Sequence, residues 1–193
     1  TLAADVRDGS GLDAALEGLK IDVLVNSAGV GRGMEGLLTA SPEDIAATTE
    51  TNLGGTLQAI RALAPGMVAR RRGHIVNIGS IMGLYPMSAV IYGATKGGIH
   101  MLGSTLRLEL QGSGVRISEV SPGRVHSEFF AANLKDPAGA EALNTAFKLL
   151  TPEDVAASVV FVVDAPAHVN VSMVELCAVE QIPGGVQIAP LET

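Results

Sequence analysis

The chain has 193 residues and carries 20 acidic against 13 basic side chains, a formal net charge of −7. With 47% hydrophobic and 17% charged residues it has the composition of a folded domain rather than a disordered chain. The acidic balance argues against a nucleic-acid surface, because phosphate contacts need clustered Lys and Arg and the one basic run is Arg70-Arg71-Arg72. No apolar stretch reaches the roughly 18 residues that span a bilayer. One cysteine, Cys177, forms no internal disulfide, which suits a reducing compartment and a cytoplasmic location. The spacing of His74, His100, His126 and His168 matches no metal-ligand pattern, so no metal is expected. Aromatics are only 3% while Gly contributes 23 residues, which calls for an aliphatic core with backbones meeting at glycines.

In chain order, Thr1–Val6 reads as the tail of a strand and Asp8–Gly18 as a short helix. Ile21–Val25 is a β-branched run closing on Asn26-Ser27-Ala28-Gly29, a second strand. Ser41-Pro42-Glu43-Asp44 carries an N-cap, a proline at the first helical position and acids in the first turn. The helix it starts should reach about Arg72, breaking near Leu53-Gly54-Gly55 and disturbed at Pro65. A strand at His74–Ile78 ends in Gly79-Ser80, and a helix spans about Val90 to Gln111. Val115–Val120 ends in Ser121-Pro122-Gly123, and 126–150 is irregular or loosely helical. Thr151-Pro152-Glu153-Asp154 starts a last helix, before a strand between Val171 and Val179 that ends near Ile182–Gly185. Apolar strands alternating with helices predict an α/β doubly wound parallel sheet. In such sheets, ligands bind outside the carboxyl ends of the strands.

The chemistry-bearing residues fall at those ends. Tyr92 and Lys96 are four apart in a helical segment and share a face. An ammonium beside a phenol favours the phenolate, which predicts a lowered Tyr92 pKa and proton exchange with an alcohol or carbonyl. By itself such a pair is equally read as an amphipathic surface pair. Ser80 could bond the same substrate oxygen or simply cap a turn. Asn52 stands in a helical segment where Asn is a poor former, turned inward against a distorted helix or outward to solvent. Asn26–Gly29 and Ser121–Gly123 offer small residues and exposed backbone donors to a flat ligand, or are ordinary turns. Arg124 could pair with a substrate carboxylate or face solvent. The small residues of the 90–111 helix suit close packing, on the sheet or between subunits.

The combination narrows these choices. Asn26-Ser27-Ala28-Gly29, then Asn52-Leu53-Gly54-Gly55, then Ile75-Val76-Asn77 with Ser80, then Tyr92-Gly93-Ala94-Thr95-Lys96, then Ser121-Pro122-Gly123 resembles the short-chain dehydrogenase/reductase family over essentially the whole chain. The resemblance implies a Rossmann-like single domain that is an NAD(P)-dependent oxidoreductase acting on a small-molecule alcohol or carbonyl. It implies that Tyr92 is the general acid/base, that Lys96 lowers its pKa and bonds the nicotinamide ribose, and that Ser80 orients the reacting oxygen. Asn52 would hold a helix bend and a water leading to Lys96. Asp5, Val6, Asn26, Ala28 and Gly29 would line the adenosine side of the cofactor. Pro122, Gly123, Val125 and Ser127 would meet its nicotinamide side. Arg124 and His126 are the substrate candidates, in a loop over 124–150. The family implies a homotetramer or homodimer. Leu150–Val155 and Pro166–Val171 further resemble the bacterial branch of NADP-dependent 3-hydroxy acid (serine-type) dehydrogenases, which makes NADP the expected cofactor and NAD the alternative. A reductase of bulkier ketones and a non-catalytic dinucleotide-binding protein on the same fold are the rival readings.

The family's glycine-rich turn after its first strand is missing from the sequence, and Asp5-Val6 matches the end of its third strand. Residues 1–193 are therefore read as the C-terminal portion of one domain, lacking two strand–helix units of about 30 residues each.

Overall fold

The computed structural model describes residues 1–184. Four parallel strands, β1 (Val23–Asn26), β2 (Gly73–Ile78), β3 (Val115–Pro122) and β4 (Met173–Leu176), form one sheet in the order β1-β2-β3-β4. Each successive strand is reached through helices, as parallel pairing requires. The register places Asn26 opposite Asn77, and Asn77 opposite Glu119. One face of the sheet is covered by α3 (Gly55–Ala69) and α4 (Val90–Glu109), where Ile60, Ala64, Met67, Ile75, Leu110 and Ile117 make the main core. The other face carries Val76 and Val120 against Val162 of α7 (Pro152–Asp164). The remaining helices are α1 (Gly9–Leu16), α2 (Pro42–Thr49), α5 (Phe129–Asn133) and α6 (Pro137–Thr145). The core is aliphatic, as the composition demanded.

Caps set the helix starts. Asp8, Ser41 and Asp136 each accept a backbone N–H at the first turn of α1, α2 and α6. Thr151 and Asp154 form a reciprocal capping box on α7. The expected break near Leu53–Gly55 is a single π-helical segment, Glu50–Gly54, joining α2 to α3. Such one-turn widenings insert a residue into a helix and re-aim its side chains. α3 runs on through Pro65. The 126–150 stretch holds the two short helices α5 and α6.

Two expectations need correction. Thr1–Val6 is not a strand: no strand lies beside it among the described residues, so its backbone has no ladder to join. The fourth strand is shorter than Val171–Val179, because only Met173–Leu176 pairs with β3. Of the turn expected at Ile182–Gly185, Gly185 lies outside the described residues.

A buried histidine ties β2 to β3. His74 is 2% exposed, with Nε2 2.8 Å from Ser118 Oγ. The Ser118 hydroxyl donates to Val171 O at 2.6 Å, so it receives its hydrogen bond from Nε2–H of a neutral imidazole. Burial, aided by Arg116, lowers the His74 pKa to about 4. The unfolded chain therefore binds the extra proton between about pH 6.5 and 4. The stability associated with neutral His74 is complete above that window and lost as pH falls through it. At about 1.4 kcal/mol per unit the loss is about 3 kcal/mol. Denaturant unfolding across that window should show the decline, and His74→Gln should flatten it.

Candidate active site

A cavity of about 560 Å³ opens at the carboxyl ends of the strands. Ser80, Tyr92 and Lys96 share its wall with Ser27, Gly29 and the 122–127 segment. Ser80 leaves β2 and caps a 3-10 turn, Ile81–Gly83, by accepting the Met82 N–H at 3.1 Å. Its own hydroxyl hydrogen is left to interact with the Tyr92 oxygen, whose pKa it lowers. That turn sits backbone to backbone on α4: a Cβ at Gly83 would lie 2.6 Å from the Lys96 carbonyl. Glycine there lets the strand end carrying Ser80 come down onto the helix carrying Tyr92 and Lys96.

The Lys96 ammonium is buried and donates to Ile78 O at 2.6 Å. It lies 5.6 Å from the centre of the Tyr92 ring. Phe129 tilts against the other side of that ring at 5.4 Å between centroids. Burial raises the Tyr92 pKa to about 12, with the Ser80 hydroxyl working against it. Burial lowers Lys96 to about 8, opposed by Glu119. The lowering expected for Tyr92 is thus reversed. Removing water from the phenolate outweighs its stabilisation by neighbours, and Lys96, itself desolvated, is a weakened source of positive charge.

Asn52 lies in the π segment and is 2% exposed. Its side-chain oxygen accepts from Val30 N at 2.8 Å, and its Nδ2 donates to Val30 O at 2.9 Å and to Thr95 Oγ1 at 3.0 Å. It clamps the loop after β1 to the turn of α4 that carries Lys96. The side chain is fully engaged in this clamp, and the Asn52 backbone carbonyl accepts from Thr56 Oγ1 at 2.8 Å. Thr95, which sequence reasoning passed over, is the third corner of the clamp and donates its hydroxyl to Tyr92 O. The same loop is fastened again where Gly31 N donates to Asn133 Oδ1 at 2.8 Å, which holds α5 over the cavity.

The other candidate positions divide. Gly29 is exposed at the cavity, and a Cβ there would lie 4.0 Å from Lys96 Nζ, so only backbone separates the lysine from a ligand on that side. Asn26 instead donates to Asn77 Oδ1 at 2.9 Å and ties β1 to β2. Ala28 is exposed beside Gly29 but outside the cavity lining. Asp5 is exposed and ion-paired with Arg7 at 2.6 Å, which lowers its carboxyl to about 2. Val6 packs over Gly55. Neither Asp5 nor Val6 reaches the cavity.

Pro122, Gly123, Val125 and Ser127 all line the cavity. Gly123 is not the free donor expected, since its N–H is taken by Leu176 O at 2.8 Å. The Arg124 N–H goes to Gln181 Oε1 at 2.8 Å. That leaves the Val125 N–H, which forms no hydrogen bond among the described residues, as the donor available to an amide. Ser127 accepts from Phe129 N. The Arg124 side chain is half-buried in the cavity wall, over the Phe147 ring at 5.6 Å. His126 is exposed and lies outside the cavity lining. Gln181 had no signal in the sequence. Among the described residues, no group of three or more His, Cys, Asp or Glu could hold a metal ion, and no helix is long and apolar enough to cross a membrane.

These residues fit the nicotinamide-ribose half of a dinucleotide. They supply a glycine-floored wall at Gly29, an ammonium, a free amide N–H at Val125 and an apolar roof. The family model for short chain dehydrogenase matches residues 1–138. The NADP-dependent 3-hydroxy acid dehydrogenase of Salmonella typhi is 39% identical over 198 residues, covering 97% of this chain and 79% of that protein. The closed form of serine dehydrogenase complexed with NADP+ superimposes with a TM-score of 0.92 at 38% identity, over 97% of this chain and 79% of that one. A 3-oxoacyl-[acyl-carrier protein] reductase from Brucella melitensis gives a TM-score of 0.77 at 30% identity, over 90% and 69%. Sequence, fold and cavity agree that the chain belongs to the short-chain dehydrogenase family.

Proposed function

We propose that the protein moves a hydride between the nicotinamide of NADP and a small 3-hydroxy acid or its carbonyl partner. Family membership carries the coarser statement, that it is an NAD(P)-dependent oxidoreductase. The observation behind the proposal is the meeting of Ser80, Tyr92 and Lys96 on one cavity wall. The choice of NADP is supported by the relatives named above, one of them in complex with it.

When bound, the nicotinamide supplies or accepts the hydride. The chain's own residues handle the proton and the oxygen. In reduction, Tyr92 donates its phenolic proton to the carbonyl oxygen. Ser80, its oxygen already engaged by Met82 N, donates a second hydrogen bond to the same atom. Both donors are in place before charge develops on that oxygen. Lys96 holds positive charge beside the phenol and, anchored on Ile78 O, would hold the ribose hydroxyls of the cofactor. The Val125 N–H would donate to its carboxamide. Asn52 is a positioning residue that fixes the Val30 loop to α4. A homodimer or homotetramer belongs to the proposal, supported by Met101 and Leu108 of α4, which stand exposed.

The proton inventory sets a pH profile. The first proton leaves the Tyr92–Lys96 pair near pH 8, where Lys96 loses its ammonium charge, while Tyr92, up at about 12, remains a phenol. Reduction needs phenol and ammonium together, so its kcat should be flat below about pH 8 and fall above it. Oxidation needs a proton vacancy in the pair, so its rate should rise through the same range. Initial rates in both directions across pH check this.

Arg124 is the cation proposed to choose the substrate. Among the described residues lining the cavity, it and Lys96 are the basic ones. A guanidinium bond to a carboxylate contributes about 1.5–3 kcal/mol. Arg124→Ala should therefore raise KM for a 3-hydroxy acid by about ten- to a hundredfold and leave a neutral secondary alcohol within about twofold. Equal effects on both would remove the carboxylate from the reading. A specific feature keeps the bulkier-ketone reading alive: Met34, Met87, Phe129, Phe130 and Leu143 make much of the lining apolar. Faster turnover of long acyl ketones than of hydroxy acids would favour it.

A further inference from the structure

Behind the cavity wall, on the inner side of β2, lies a cluster that the proton transfer outlined above does not use. Glu119 projects from β3 toward α4 and is 4% exposed, a buried carboxylate. Its Oε1 accepts from Ser121 Oγ at 2.5 Å, and its Oε2 lies 2.9 Å from His100 Nδ1. His100 stands four residues after Lys96, one turn along the same face of α4, with 37% of its side chain exposed. The carboxylate packs under Gly79, where any side chain would collide with Glu119 and Ser121. Gly79 lies between Ile78, whose carbonyl holds Lys96, and Ser80.

A buried carboxylate is costly unless paired and hydrogen-bonded. Ser121 and His100 satisfy its two oxygens, and Lys96 of α4 is an ammonium on which its charge acts. The other titratable groups facing it are few. From β4 the neighbour in register is Met173, and Glu175 farther along the same face receives the Tyr85 hydroxyl at 3.0 Å. From β2 the neighbour is the neutral Asn77.

We propose that Glu119 is a positioning residue for Lys96 and Ser80: it supplies the buried negative charge opposite the ammonium and supports the Ile78–Gly79–Ser80 turn, with His100 and Ser121 holding it in place. The inference rests on the proposed role of Tyr92 and Lys96. Its direction agrees with the electrostatics, in which Glu119 raises the proton affinity of Lys96 against the effect of burial.

Glu119→Gln keeps the shape and an acceptor for Ser121 but removes the charge. The alkaline fall of the reduction rate should move to lower pH by about half a unit to one unit, because Lys96 then loses its proton more easily. kcat should drop about tenfold with KM within about twofold, the mark of a group acting through the reacting pair rather than on substrate binding. His100→Asn, whose amide can stand where Nδ1 does, keeps a donor to Glu119 and should move the fall by less than Glu119→Gln does. Glu119→Met, apolar and of similar volume, removes the charge without adding a polar group and should move the fall the same way. It decides the matter if Glu119→Gln does not fold. A pH profile unmoved in folded Glu119→Gln, or unmoved in Glu119→Met where Glu119→Gln is unfolded, overturns the proposal. If Tyr92→Phe retains full turnover, the function itself fails; if Tyr92→Phe is inactive and the Glu119 profile is unmoved, this inference alone fails.

Discussion

Tyr92→Phe should lower kcat by about a hundred- to ten-thousand-fold, the range general acid catalysis contributes. The phenyl ring keeps its packing against Phe129 and its place beside Lys96, so NADP affinity should stay within about twofold. The two readouts separate chemistry from binding. A variant that binds cofactor and does not turn over places the proton at the Tyr92 oxygen. Unchanged turnover would move the acid elsewhere and leave Ser80 and Lys96 without the group they surround.

The second large effect belongs to Asn52. Asn52→Ala deletes three hydrogen bonds at a buried position and strands the N–H and C=O of Val30. Each buried polar group left without a partner costs about 1–3 kcal/mol, so a loss of about 2–5 kcal/mol of stability is expected. Because the same residue joins the Val30 loop to the turn of α4 carrying Lys96, kcat should fall with stability. Denaturant unfolding and steady-state rates on the same preparation test both halves. A stability change below about 0.5 kcal/mol would mean the clamp is replaced by water at little cost. Thr95→Val, which removes one corner of the clamp, should show a smaller loss in the same direction.

Much of the site could be read from the chain alone because it depends on short-range geometry. Tyr92 and Lys96 share a face through helical periodicity, and Ser80 follows a β-branched run that ends in glycine. The caps at Ser41 and Thr151 were equally legible, since they are local hydrogen bonds. What escaped the sequence depends on what packs against what. The direction of the Tyr92 shift follows from loss of water around the phenol, which no spacing reveals. The Gly123 N–H looked free until β4 took it. His126 and Arg124 are neighbours in the chain, yet one is exposed and the other lines the cavity. Thr1–Val6 has strand-like composition, but a strand exists only where another pairs with it. The π segment at Glu50–Gly54 had a partial signal, an Asn beside two glycines, which marked the place but not the geometry. Glu119 carried a signal as well, an acid inside a strand, whose meaning appears only with His100 and Gly79 beside it.

The central claim is that this cavity transfers hydride from NADPH while Tyr92 supplies the proton. It is tested most directly by incubating the protein with NADPH deuterated at the transferring position and a panel of 3-oxo acids and small semialdehydes, followed by mass analysis of the products. The account predicts one deuterium on the new hydroxyl-bearing carbon with the unaltered protein, and the same product formed at least about a hundredfold more slowly with Tyr92→Phe. No deuterated alcohol from any carbonyl in the panel, or equal rates of incorporation by the two proteins, would contradict it.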